Sequence, residues 1–251
     1  MNGPLGREIL ERTWARHGGW DCWQSVHRLE LTLTELGGPL PLIKGLHKTF
    51  PAPRRIGIWP HECRTVFLDY PHAGSSGVFE RGRVRLVRPG DPPAEGEAYR
   101  SHFAGIEKYR RWSPLDALYF FGYALWHYHV LPFALADATI VDAAVSGGGR
   151  SRLVVDFPPE VETHSRRQTF HFDPRGLIVR HDYVAEIVGW WAAGAHEWSD
   201  YETMSGLPVA RRRQVWARVG GRRLPIPVLH ARLGDGSVFH RDQQAGDKPP
   251  S

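Results

Sequence analysis

The chain has 251 residues, of which 41% are hydrophobic, 12% aromatic and 24% charged, which excludes a disordered polymer and is ample for a real core. Its 27 glycines and 20 prolines are too many for a helical bundle and fit a loop-rich, sheet-based protein. The formal charge of +5 rests on arginine, but the runs Arg54-Arg55, Arg110-Arg111, Arg211-Arg212-Arg213 and Arg222-Arg223 are scattered and form no coherent stripe, so no nucleic-acid partner is expected.

In chain order, a first helix is predicted over Gly6 to His17, stopped by Gly18-Gly19. Asp21 is expected to cap a short second turn. Leu29, Leu31 and Leu33 then alternate with Glu30, Thr32 and Thr34, the pattern of a half-buried strand. Further strands are predicted at Leu42 to Thr49, Arg54 to Trp59 and Arg64 to Asp69. A hairpin turns at Arg81-Gly82. Arg88 to Ala98, rich in proline, glycine and acids, reads as a surface loop. Ser113-Pro114-Leu115-Asp116 carries a serine cap, a proline at the first helical position and an acid for a capping box, so it opens a helix that runs to about His129. That helix is crowded with Tyr119, Phe120, Phe121, Tyr123, Trp126 and Tyr128 and must be covered on most sides.

The C-terminal half returns to strands. One covers Ser151 to Phe157, and a hairpin joins His164–Phe172 to Leu177–Ile187. Others are expected over Glu197 to Met204, Val209 to Val219 and Pro225 to Arg232. No repeat or linker divides the chain. The expectation is one mainly β domain over 1–240, an antiparallel sheet with a few helices, followed by a disordered polar tail over 241–251.

Cys22 and Cys63 make neither a disulfide framework nor a metal motif, and the N-terminal residues lack the pattern of a signal peptide, so the expected compartment is the cytoplasm. The most apolar stretch, Leu115 to Leu135, contains Asp116, His127, His129 and Pro132, which argues against a membrane span.

The opening His17-Gly18-Gly19-Trp20-Asp21-Cys22-Trp23, followed by Val26 and an alternating strand, resembles uncharacterised bacterial proteins with "HGG-x-x-x-W" openings. These look like members of the LolA/LppX-like group of lipoprotein carriers. Thr163–Tyr183 also carries the resemblance. It implies a curved, half-open antiparallel barrel with the N-terminal and aromatic-rich helices packed on its concave face, and a cavity for an apolar ligand.

Candidate chemistry concentrates in the Thr163–Tyr183 hairpin. With Asp173 to Gly176 as the loop, Phe170 faces Val179, Gln168 faces His181, Arg166 faces Tyr183 and His164 faces Ala185. One side then carries apolar residues near the turn and His164, Arg166, Gln168, His181 and Tyr183 farther away, while Arg167 and Asp182 form an exposed ion pair on the other. A polar cluster on a buried face must be hydrogen-bonded or must serve a ligand. His164 and His181, with Tyr183, are candidates for acid–base work. Arg166 and Gln168 are candidate ligand contacts, as are His196 on the next strand and Lys44. Trp112, Tyr119, Tyr123 and Trp126 could form an aromatic lid. No tight metal-ligand spacing and no phosphate-loop, dinucleotide or nucleophile-elbow motif is present, so neither metal nor organic cofactor is expected. Two functions follow as expectations. The first is binding of a small apolar or aromatic molecule beneath the helix. The second is a cofactor-independent enzyme performing isomerisation, dehydration or cyclisation.

Overall fold

In a computed structural model, residues 3–241 are described. The tail expected to be disordered lies outside them, save Arg241. The chain begins with α1 (Pro4–Arg16) and α2 (Gly19–Ser25), then runs through β1 (Val26–Gly37), α3 (Pro39–Lys44), α4 (Leu46–Thr49), β2 (Arg54–Trp59), β3 (Arg64–Leu68), β4 (Ser76–Glu80), β5 (Arg83–Val87) and β6 (Ala94–Gly96). A long helix, α5 (Pro114–Val130), precedes β7 (Thr139–Val145), β8 (Ser151–Asp156), β9 (Arg167–Phe172), β10 (Ile178–Val184), β11 (Ala193–Met204), β12 (Leu207–Val219) and β13 (Arg222–His240).

All 13 strands join one antiparallel sheet in the order β6-β5-β4-β3-β2-β1-β13-β12-β11-β10-β9-β8-β7. The N-terminal half meanders outward from the centre to β6. The chain then crosses to the far edge, and the C-terminal half meanders back until β13 pairs with β1. The edge strands β6 and β7 do not pair, so the sheet is a curved, open half-barrel. The alternation in β1 is as expected, with Leu29, Leu31 and Leu33 all buried.

Three local expectations are corrected. Leu42 to Thr49 is not a strand but the end of α3 and the whole of α4. Pro39 starts α3, and Gly45 adopts φ 75° in the left-handed region between the two helices, which a strand residue does not do. Arg88 to Ala98 is not wholly loop, because Ala94–Gly96 adds a short edge strand to β5. In addition, α2 is capped by Gly18 at φ 103° rather than by Asp21, which lies inside the helix.

The crossover helix fixes the concave face. Its capping box is complete: the Ser113 Oγ accepts from the Asp116 backbone N–H at 3.2 Å, and the Ser113 N–H donates to the Asp116 carboxylate at 2.8 Å. Asp116 also accepts from the Tyr99 hydroxyl at 3.0 Å, which ties the helix start to the preceding loop. Farther along, the Thr65 hydroxyl of β3 donates to the Gly122 carbonyl at 3.0 Å. Gly122 is needed at that point, since a Cβ there would lie 2.3 Å from the Phe79 side chain of β4. A second helix, α1, covers β7 and β8, with Ile9 and Leu10 packed into a core that includes Leu153, Val155, Phe170 and Phe172.

Gly122→Ala should therefore destabilise the protein by about 1–3 kcal/mol through overpacking, although alanine is the better helix former by about 1 kcal/mol. Ser113→Ala should cost about 1 kcal/mol by opening the cap. Thermal melts check both, with a fall of roughly 2–4 °C expected per kcal/mol; a Gly122→Ala variant that melts higher contradicts the close approach.

Candidate functional site

The hairpin between β9 and β10 is closed by Asp173, whose carboxylate accepts from the backbone N–H groups of Arg175 at 2.9 Å and Leu177 at 2.8 Å. Its pairing differs from the expected one. Phe172 faces Ile178, Phe170 faces His181 and Thr169 faces Asp182, with an irregularity between Ile178 and Arg180. Val179 is the extra residue, and it is exposed rather than buried. The pairing is one residue off at Phe172–Ile178 and the bulge adds a second, so from His171 onward the register is shifted by two, which preserves the face. Gln168, Phe170, Phe172, His181 and Tyr183 are therefore all buried, as expected, although against different partners. The expected Arg167–Asp182 pair is replaced. Arg167 binds Asp156 at 2.7 Å, and Asp182 is held by Arg180 at 2.6 Å and Arg218 at 3.1 Å.

The buried polar groups form a connected network. His164 sits between two tyrosines of α5. Its Nδ1 lies 2.8 Å from the Tyr123 hydroxyl, and its Nε2 lies 2.5 Å from the Tyr128 hydroxyl. Its ring stacks on Tyr183 at 4.0 Å, and the Tyr128 and Tyr183 hydroxyls are 3.3 Å apart. Gln168 organises the other histidines. Its amide NH2 donates to Thr163 Oγ1 and to the Ser165 carbonyl, both at 2.6 Å. Its Oε1 must then accept, so His181 donates from Nε2 at 2.5 Å and His127 from Nε2 at 3.4 Å.

Burial dominates the electrostatics. His17 and His127 are each pushed down to about 4, and His129 to about 3, chiefly by loss of solvation. His164, His181 and His196 are held well below the usual imidazole range for the same reason. Tyr123, Tyr128 and Tyr183 are pushed upward. The cluster is therefore neutral at pH 7.

A cavity of about 190 Å3 lies between α5 and the inner faces of β1 and β10–β13. Leu33, Leu36, Phe120, Phe121, Ala124 and Leu125 contribute apolar wall, and Ile43 of α3 and Trp191 of the β10–β11 turn stand at its mouth. Tyr128, His129, Tyr183, His196 and Arg213 supply its polar side chains, and Tyr128, His129 and Arg213 also border a smaller cavity of about 30 Å3.

Of the expected site residues, Tyr183 and His196 line this cavity. His164, Gln168 and His181 stand behind that wall, committed to the network just described. Tyr123 faces His164, and Tyr119 donates to Glu162 at 2.8 Å. Trp126 turns to the other half of the sheet, donating to the Pro60 carbonyl at 2.8 Å. Trp112 packs at 4.8 Å on Phe120. Lys44 is a structural tie, not a cavity residue: its ammonium donates to the Lys108 and Arg110 carbonyls beneath Trp112. Arg166 is exposed and donates to the Phe157 carbonyl at 3.2 Å, away from the buried face. Among the described residues no group of three or more His, Cys, Asp or Glu is arranged to hold a metal. The ring nitrogens of His164 and the Nε2 of His181 are already taken by tyrosines and Gln168.

The sequence reading missed Tyr128, His129 and Arg213 as cavity residues. Arg213 was legible in part: strand alternation puts Arg212 on one side and Arg211 and Arg213 on the other, and these two are the buried pair. Arg211 has Glu202 as its partner at 2.9 Å, whereas Arg213 has no such carboxylate among the described residues.

No family model matches the chain, and no curated protein matches it. Among solved structures it is similar to a LolA superfamily protein from Nitrosomonas europaea, with TM-score 0.51, 9% identity, and 96% of this chain and 97% of that chain covered. A DUF1329 family protein from Desulfovibrio piger aligns with TM-score 0.47 and 11% identity over 94% of this chain and 93% of that one.

The buried histidines make folding sensitive to acid. Below about pH 6.5 the unfolded chain binds protons that the folded chain refuses, so stability is full above that value and falls as pH drops toward 4. Each such imidazole contributes a loss of roughly 1.4 kcal/mol per pH unit. Near-ultraviolet circular dichroism should show cooperative unfolding between about pH 5 and 6, since several imidazoles act together. A chain still folded at pH 4 contradicts the neutral cluster. From sheet order, open edges and covered helix together, the fold of this chain is LolA-like.

Proposed function

We propose that this protein binds a small apolar or aromatic molecule in the cavity beneath α5. The carrying observation is the cavity itself: about 190 Å3 left open in a wall of leucine, phenylalanine and alanine, beside a helix otherwise packed tightly enough to demand glycine at 122. Cores are normally filled to crystal-like density, so a void of this size, open to the surface at one end, is suited to a ligand. The mouth supports the same reading. Trp190 and Trp191 are 79% and 55% exposed, and Leu42, Ile43 and Ile226 stand out nearby in sequence or space. Apolar groups held in water around a cavity entrance favour an apolar visitor. The two free thiols, Cys22 and Cys63, fit a reducing compartment, and we assign the cytoplasm.

A second reading, acid–base catalysis without an organic cofactor, draws on Tyr183 and His196, which reach the cavity. His164 and His181 would then orient Tyr128 and Tyr183 rather than touch substrate. That reading predicts that His196→Ala abolishes turnover while substrate affinity survives; a binder loses affinity alone.

The test uses a neutral fluorescent probe, N-phenyl-1-naphthylamine. The wild-type protein should bind it with a blue-shifted, enhanced emission. Ala231→Leu combined with Ala217→Leu, two substitutions that fill the cavity wall, should weaken binding about tenfold or more, corresponding to about 1.4 kcal/mol. Equal binding by wild type and filled variant would place the probe elsewhere and defeat the proposal.

A further inference from the structure

The polar side chains of the cavity wall have a composition that an apolar ligand does not explain. Arg213 projects from β12 directly opposite Trp198 of β11. Its guanidinium carbon lies 3.6 Å from the centre of the Trp198 ring and 5.6 Å from that of Tyr128. Only 6% of the residue is exposed. Stacking of this kind satisfies the face of a guanidinium and leaves its edge, where the N–H donors are, free for an acceptor. No acceptor is supplied: among the described residues Arg213 enters no ion pair, and its Nη1 is buried with no hydrogen-bond partner.

His196 repeats the pattern next door. It is 1% exposed, its ring is 4.6 Å from that of Tyr128, and neither Nδ1 nor Nε2 has a partner. A neutral imidazole always carries one N–H, so His196 offers a donor whichever tautomer it adopts. His129, on the same wall, donates from Nδ1 to the Leu125 carbonyl at 2.7 Å, which leaves only a lone pair on Nε2. Tyr128 and Tyr183 are already engaged with His164 and each other. A fixed positive charge and a neighbouring N–H therefore lack acceptors on the wall of an apolar chamber, where Arg213 also borders a smaller cavity of about 30 Å3 lined by His17, Trp198 and Tyr201. Buried donors are almost always satisfied in folded proteins, and a buried cation without a counter-charge is the most costly form of the exception.

We propose that the ligand is an anionic amphiphile, a carboxylate on an apolar chain or ring, whose head is bound by Arg213 with a donor from His196 and whose apolar part fills the chamber toward Ile43 and Trp191. This inference rests on the cavity binding stated above and goes beyond it by naming the head group. A planar carboxylate matches the two parallel N–H groups on a guanidinium edge.

The experiment compares three probes that share one tail, decanoate, decanol and decylamine, by displacement of N-phenyl-1-naphthylamine from the full chain at pH 7. Decanoate should bind at least about tenfold more tightly than decanol, as expected for a charge-assisted hydrogen bond in a buried site, and decylamine should bind weakest. Arg213→Gln should remove the preference for decanoate while binding of decanol and the neutral probe is retained. Should Arg213→Gln fail to fold, His196→Phe serves, with a partial loss of the same preference. Equal affinity for decanoate and decanol in the wild type overturns the inference and leaves the apolar cavity standing. A preference that survives Arg213→Gln overturns the assignment to Arg213. If neither the neutral probe nor any of the three binds, the cavity reading itself has failed, and this inference with it.

Discussion

One crossover, built around a single long helix, has to carry the chain from one edge of a thirteen-strand sheet to the other, and most of the molecule is arranged around that constraint. The strands before α5 end at β6 and those after it begin at β7, the two unpaired edges. A helix of 17 residues spans about 25 Å, so a flat sheet of this width could not be crossed by it. The sheet curls, and the crossover lies within the curve. Its apolar circumference then finds cover on several sides: Gly122 and Thr65 lock it to β3 and β4, and Tyr123 and Tyr128 lock it to the His164 segment. One helix cannot fill a whole half-barrel. The volume it leaves, bounded by β1 and β10–β13, is the cavity.

The polar groups on the concave face divide by whether their hydrogen bonds close. Gln168 uses both amide hydrogens and its oxygen, and His164 uses both ring nitrogens. In a low-dielectric interior a closed network of neutral groups is rigid, and it can specify the seating of a helix. Arg213 and His196 sit only a ring away from this network and remain open. The same tyrosine, Tyr128, touches both sets. Its hydroxyl belongs to the closed network and its ring face belongs to the open site, so the position of the cavity wall is set by the bonds that hold the helix.

Much of the fold was legible because local signals and tertiary demands agreed. The capping box at Ser113 and the alternation of Leu29, Leu31 and Leu33 are written in consecutive residues. The hairpin face was also legible, although its register was not, because the bulge at Val179 has no signature in the side chains. The total displacement, one residue at the turn and one at the bulge, happened to preserve the face. Leu42 to Thr49 misled because the apolar spacing of a short stretch fits either period, and Gly45 and the prolines before it decided the matter. The cavity residues were the least legible. Arg166 and Lys44 have the right chemistry for an anion but are bound to backbone carbonyls outside the chamber. The cation that does reach it stands in an ordinary-looking run of three arginines.

That run shows where sequence and structure carry different information. Arg211, Arg212 and Arg213 are chemically equal, and the pleat separates them into buried, exposed and buried positions. The two buried ones then differ by what faces them across the sheet and at the surface. Arg211 meets Glu202, a carboxylate supplied by its own chain. Arg213 meets the flat faces of Trp198 and Tyr128, which tolerate a cation but cannot neutralise it. Burial, opposed only in part by Tyr201, Tyr128 and Tyr183, lowers the pKa of Arg213 to about 10, a level at which it still carries its proton at pH 7. The charge therefore persists inside the chamber, and it persists without a partner among the described residues. A core selected for stability alone would replace that arginine with a methionine or leucine of similar volume at a gain in free energy. A charged group kept against that gradient, on the wall of an otherwise apolar cavity, is a property of the site rather than of the fold.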